Sequence, residues 1–134
     1  MNPFRHWAAV DFEHHAAEFC ELVRSGFGLE LDYSPGTLGQ LDDFVDTHCG
    51  SGSADDHSTL IVGMGCYLGE VVIRNHGGHW SADEEFFHSP AVVIAGKLET
   101  RAFTLSRVWR RFEYGTEQSL VAYYGDLRRT LARL

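Results

Sequence analysis

Glu70 is the side chain with the most chemistry in reserve. It is the lone charged residue in 59–73, a stretch otherwise made of apolar, glycine, cysteine, tyrosine and threonine residues. A carboxylate in such surroundings must be paired, exposed or functional, because burying it alone is costly. As a general acid or base it needs a companion, and the nearest imidazoles are His76 and His79, which flank Gly77-Gly78. These two histidines could form an acid/base or ligand pair with it. The simpler reading places them at a helix C-terminus, where an imidazole meets exposed carbonyls favourably. With no second carboxylate at a companion spacing, Glu70 reads first as a structural ion pair. Arg74 lies one turn on, and Arg107, Arg110 or Arg111 could reach it after folding.

Eight histidines among nineteen acids raise a metal hypothesis. Asp11, His14 and Glu18 stand at i, i+3 and i+7, so one helix face carries all three. That spacing suits ligands, yet the same face is where an amphipathic helix keeps its solvated residues, and no HExxH occurs. The solvated face is the stronger reading. The cluster Arg107, Arg110 and Arg111 could clasp an anion, or answer the acidic half of the chain internally. The internal answer is preferred. Trp80 and Tyr67 stand beside the arginines as candidate binding residues, with Trp80 also expected to anchor the sheet while its N–H finds a partner. No GxSxG elbow is present, and the glycines at 63, 65 and 69 are spaced GxGxxxG with no strand before them. No cofactor is expected, and those glycines fit close packing better than a phosphate loop.

Positioning these groups requires five helices and a small sheet. Asn2-Pro3 is a good helix start, and Ala8, Phe12, His15 or Ala16, Phe19 and Val23 recur at helical spacing, predicting a first helix over 3–24. Thr37 with Gln40 suggests a capping box for a second helix ending at Gly50, with Leu38, Leu41, Val45 and His48 turned inward. Residues 50–58, GSGSADDHS, have a flexible linker's composition. Residues 59–75 contain three glycines and a Val-Val-Ile run, both against helix, but exceed a normal strand and end at His76-Gly77-Gly78. Helix is the prediction, and it should be the central, most buried one. On it Val62, Cys66, Gly69 and Ile73 share one face, whose small residues would let a neighbouring helix approach closely, while Gly63, Tyr67, Glu70 and Arg74 share the next. Strands are expected at 78–82, 91–95 and 98–103, with residues 83–90 joining the first two and Gly96-Lys97 as a turn. Thr104 is the expected cap of a helix to Tyr114, and Thr116 that of a last helix with Leu120, Tyr124, Leu127, Leu131 and Leu134 as its stripe.

The totals narrow the class. A chain of 134 residues with 44% hydrophobic content forms one globular domain, 1–134, without needing metals or disulfides. Its charge of −8 is lopsided: residues 1–58 hold 11 acids and 2 bases, residues 59–134 hold 8 and 9. Nucleic acid is not an expected partner, since phosphate backbones need clustered Lys and Arg, and three arginines with Trp109 among them are a thin footprint. An acidic face suits solubility or a basic protein partner. Cys20, Cys49 and Cys66 are odd in number and lack CxxC spacing, the pattern of reduced thiols. The N-terminus lacks a signal peptide's apolar core, and the longest apolar run, 60–73, is short of the about 20 residues a bilayer span needs. A cytoplasmic protein with no membrane association is expected. Arginine supplies all bases but Lys97, which suggests a GC-rich bacterial genome.

Three motifs, GCYLGEVV, GGHW and RVWRRFEYG, occur in order within residues 59–127. This half of the chain resembles a group of small bacterial domains of unknown function built from a YLGE helix, a GGxW break into a small antiparallel sheet, and an RRxExG helix. It departs from that group in lacking the proline that often precedes the arginine helix. The resemblance implies a fold and carries no activity with it.

The expectation is therefore an α+β domain, about five helices packed around a three-stranded antiparallel sheet inserted between helices three and four. Its function is read as a non-enzymatic protein- or ligand-binding module, immunity-like if the partner is basic. The alternative is a small hydrolase or metal-dependent enzyme using Glu70 with nearby histidines.

Overall fold

The computed structural model describes residues 3–82, 89–96 and 99–133. It has the expected architecture: helices α1 (Ala9–Phe27), α2 (Thr37–His48) and α3 (Ser58–His76), strands β1 (His79–Ser81), β2 (Ala91–Ile94) and β3 (Thr100–Ala102), then helices α4 (Thr104–Tyr114) and α5 (Leu120–Ala132). The strands form an antiparallel sheet in the order β1-β2-β3. Asn2, the residues 83–88 of the first connection, the Lys97 end of the turn, Leu98 and Leu134 lie outside the described residues.

α3 is the axis of the fold because its glycines remove side chains where neighbours must come close. A Cβ on Gly63 would stand 2.9 Å from Cβ of Phe19 in α1, and one on Gly65 would stand 2.7 Å from Cα of Leu105 in α4. α1 and α4 thus pack on α3 through glycine notches. Gly69 does something else: a Cβ there would lie 3.1 Å from Cζ3 of Trp80 and nearer still to Cη2 and Cζ2. The predicted helix-approach face is corrected accordingly. Gly63 and Gly65 admit helices, whereas Gly69 admits the indole ring that enters from β1.

Register aligns Trp80, Val92 and Ala102 in one row across the sheet, and all three are buried in the core with α3 residues. The alternate row is His79, Val93 and Arg101, on the opposite face. Gly78 makes the entry to β1 possible. It has φ of +112°, and a Cβ would meet the Val93 carbonyl oxygen at 2.7 Å, a place only glycine tolerates.

Several predicted ends shift for local reasons. α1 starts at Ala9, because residues 3–6 form a turn and the Asp11 carboxylate accepts the Ala8 N–H at 2.7 Å. α2 is entered through the Pro35-Gly36 turn, and the buried Thr37 hydroxyl donates to the Ser34 carbonyl at 2.7 Å in place of forming a capping box. His48 is exposed and leans on the rings of Phe27 and Phe44, so it is not part of the inward stripe. Residues 50–58, expected to be flexible, are tied down: Gly52 and Ser53 donate to the carbonyls of Glu113 and Phe112, and residues Ala54–Asp56 form a 3-10 turn. Thr104 does not cap α4; its hydroxyl crosses to the Gly65 carbonyl of α3 at 2.8 Å. Thr116 lies in a 3-10 turn, and Ser119 caps α5 by accepting the Ala122 N–H at 3.2 Å.

Candidate functional site

Glu70 is 3% exposed, and both of its carboxylate oxygens are engaged. Oε2 accepts the indole N–H of Trp80 at 2.8 Å, and Oε1 lies 3.5 Å from Nε of Arg74. Trp80 is held in turn by a parallel stack on Phe12, with centroids 4.2 Å apart. Glu70 is therefore the acceptor that lets a tryptophan N–H be buried. The Arg74 pairing anticipated from sequence forms. Pairing with Arg107, Arg110 or Arg111 does not: Arg107 and Arg111 turn to other partners, and Arg110 is exposed.

The histidines proposed beside Glu70 go elsewhere. His76 Nε2 hydrogen-bonds the Tyr124 hydroxyl of α5 at 2.7 Å, and burial together with the Arg128 charge lowers its pKa below the ordinary 6.5. His79 is exposed on the face of the sheet opposite Trp80. No described contact joins either imidazole to Glu70. Tyr67 is also committed: its hydroxyl accepts the Tyr33 N–H at 2.9 Å and shares a 2.6 Å hydrogen bond with Thr37. Tyr33 has a φ of +67°, uncommon for a non-glycine residue. It is clamped by that bond, by stacking on Tyr67, by the Arg74 guanidinium 3.6 Å above its ring, and by Asn75, which donates to its carbonyl. The clamp covers the Arg74 end of the Glu70 pair and leaves Tyr67 and Trp80 as structural elements of the core.

The helix-one trio likewise divides. Asp11 closes the start of α1, while His14 pairs with Glu18 one turn along an exposed face. Among the described residues no three His, Cys, Asp or Glu side chains gather as a metal site. Cys20, Cys49 and Cys66 are free thiols. Burial pushes Cys66 up to about 12, so it is a thiol and not a nucleophile at neutral pH.

The arginine cluster splits in two. Arg111 points inward and is buried, with Nε 2.8 Å from Asp42 and one terminal nitrogen 2.7 Å from Asp46, both on α2. The same Asp42 carboxylate accepts the Ser119 hydroxyl and the N–H groups of Leu120 and Val121 at 3.0–3.1 Å, closing the start of α5 from another helix. Arg107 and Arg110 point outward and, with Arg101 from β3, line a cleft of about 290 Å³ whose other walls are Phe103, Ser106 and Tyr123. Arg107 hydrogen-bonds Gln118 and lies 4.6 Å over the Tyr123 ring. Arg101 is 3.4 Å from Glu99. Arg110 is exposed and engaged by no hydrogen bond or ion pair among the described residues.

The internal answer preferred for the arginines holds for Arg111, whereas Arg107 and Arg110, candidate binding residues by sequence, line the cleft with Arg101, Phe103, Ser106 and Tyr123, which the sequence did not single out. The available signal was Arg101 itself, which the short β3–α4 junction returns to the same side as the first turns of α4. Comparison of the chain with protein-family models, with curated proteins and with solved structures gave no match. The YLGE and GGxW motifs nonetheless have a shared physical meaning, since Gly69 and Glu70 receive the ring and the N–H of Trp80.

Proposed function

We propose that the protein is a non-enzymatic binding module that takes an anionic ligand in the cleft between β3, α4 and α5. The observation that carries this reading is the convergence of Arg101, Arg107 and Arg110 on one open cleft with Phe103 and Tyr123, in a chain of net charge −8. Guanidinium groups are always charged near neutral pH and present paired donors to carboxylates or phosphates. Crowding three of them lowers the energy of a bound anion and raises that of the empty cleft. Burial raises the Tyr123 pKa, so its hydroxyl stays neutral and able to donate. Three free thiols favour a reducing compartment such as the cytosol. No helix among the described residues is long and apolar enough to cross a membrane.

Titration with inorganic phosphate, followed by NMR of arginine Nε–H groups, tests the reading. Arg101, Arg107 and Arg110 should shift together, Arg111 should not, and Arg110→Glu should weaken binding at least about tenfold. Phosphate that perturbs no cleft arginine, or binds Arg110→Glu unchanged, refutes it.

A basic, immunity-type protein partner is the second reading, favoured by the other half of the molecule. Nine of the eleven acids in residues 1–58 are exposed, Glu13, Glu18 and Glu21 on α1 among them. Reversing those three charges to Lys should abolish capture of such a partner and leave phosphate binding intact. The enzyme reading of Glu70 with His76 and His79 gains no support, because its members face different partners.

A further inference from the structure

Beside the arginine cleft, across the crest of α4, lies a largely apolar cleft of about 410 Å³ walled chiefly by Phe4, Ile61, Val62, Leu105 and Trp109, with Asp55, Ser58 and Ser89 also lining it. Ser106 lines both. At the 100° spacing of a helix, Ser106 and Arg110 stand one turn apart on this crest, with Phe103 and Arg107 falling to one side and Leu105 and Trp109 to the other. Ser106 is the small residue on the ridge, half-buried, and no hydrogen bond engages its hydroxyl among the described residues. The ridge is therefore lowest where the two clefts adjoin. Trp109 is 39% exposed, a large aromatic surface left open on the apolar side.

We infer that the two clefts form one site for a single-chain amphiphile of the fatty-acid class, its carboxylate on Arg110 and its acyl chain lying over Ser106 into the Trp109 cleft. This rests on the anion-binding reading above and adds the ligand's class. Each cleft is at or near the small end of the range of about 300–1,000 Å³ typical of small-molecule sites, and together they have room for a head and a short chain. A monocarboxylate matches the single guanidinium of the cleft that has no hydrogen-bond or ion-pair partner among the described residues, Arg110, since Arg107 is engaged by Gln118 and Arg101 by Glu99 and others. The net charge of −8 disfavours an anionic membrane surface as the source of the amphiphile.

Calorimetric titration of the whole chain with butanoate, hexanoate, octanoate, octyl phosphate and octanol tests it. Affinity should rise about twofold to fourfold per added methylene, and octanoate should bind at least tenfold tighter than octanol. Ser106→Trp, which fills the crossing, should flatten the chain-length dependence while butanoate binding persists. Trp109→Ser, on an exposed position, should do the same from the far wall if Ser106→Trp does not fold. Affinity independent of chain length, chain dependence unchanged in both variants, or octanol equal to octanoate overturns the inference. A preference of more than tenfold for octyl phosphate overturns the carboxylate assignment. Binding of butanoate and inorganic phosphate without chain dependence would sink this inference and leave the anion-binding reading standing; binding of no anion would sink both.

Discussion

Replacing Gly69 with alanine should unfold more stability than a methyl group ordinarily commands, and in the direction opposite to helix propensity. The new Cβ would stand 3.1 Å from Cζ3 of Trp80 and closer to two neighbouring ring atoms, against the ~3.5–4.0 Å of comfortable carbon contact. The ring is 8% exposed, stacked on Phe12 and bonded to Glu70, so it cannot retreat without loosening both. Overpacking of a core costs about 1–3 kcal/mol, and loss of a hydrogen bond to a carboxylate costs about 1.5–3 kcal/mol. Alanine returns about 1 kcal/mol relative to glycine in a helix. The net loss is about 1.5–5 kcal/mol, which at a urea m-value of about 2 kcal/mol/M lowers the midpoint by about 0.75–2.5 M. Gly125→Ala in α5 is the control: there a Cβ meets only the flexible Arg129 guanidinium, at 3.6 Å, and the midpoint should rise by about 0.5 M or less. In a Trp80→Phe background the benzo edge that obstructs the Cβ is gone, so Gly69→Ala should cost much less there, a coupling a double-mutant cycle reads directly. A midpoint for Gly69→Ala at or above wild type, or equal costs in the two backgrounds, refutes the glycine–indole account.

Further predictions concern the polar groups of the core. Glu70→Ala leaves the buried Trp80 N–H without its acceptor and should cost about 2–4 kcal/mol, whereas Glu70→Gln keeps a carbonyl oxygen and should cost less than half of that; the half-exposed Arg74 pair adds little. Equal losses in urea unfolding would contradict this. Asp42→Ala removes one of the two carboxylates paired with the buried Arg111 and also the acceptor of the Ser119, Leu120 and Val121 donors at the start of α5, with an expected loss of about 3–5 kcal/mol, while Asp46→Ala leaves Arg111 its Asp42 partner and the α5 start intact and should cost under about half as much; the reverse order would be inconsistent with the geometry. His76 has a folded pKa below its ordinary 6.5, so the unfolded chain takes up that proton first as pH falls. Its contribution is full above about pH 6.5 and declines as pH falls from there through the depressed folded value. His76→Gln should flatten this part of the stability profile between about pH 7 and 5, and an unchanged slope would exclude the histidine as its source.

The helical and strand periods were sufficient to read the α+β class and the place of the sheet, because each element's apolar pattern is local. Glu70 could also be read correctly as a paired residue, since the Arg74 partner sits one turn away. What sequence could not supply was distance across the fold. Thr116 is the cap expected from sequence, and Ser119 takes its place because Asp42 fixes the chain there. Thr104, likewise an expected cap, turns instead to a carbonyl of α3. The arginines 107, 110 and 111 are nearly contiguous in sequence but face two ways, a division set by where α2 and β3 lie. Glycines 63, 65 and 69 were legible as notches, while which neighbour fills each notch depended on the packing.

The Asp42 carboxylate joins residues 69 to 79 positions apart in the chain, drawing together α2, the buried end of α4 and the first turn of α5. Contacts of such separation form only after most of the chain has been ordered, since the loop they close must first lose its entropy. α5 thus has no cap of full strength until α2 is seated, and a ribosome releasing this chain has already emitted α2 long before α5 appears. α5 docks onto a waiting carboxylate, so the α2–α5 junction is expected to close late in folding.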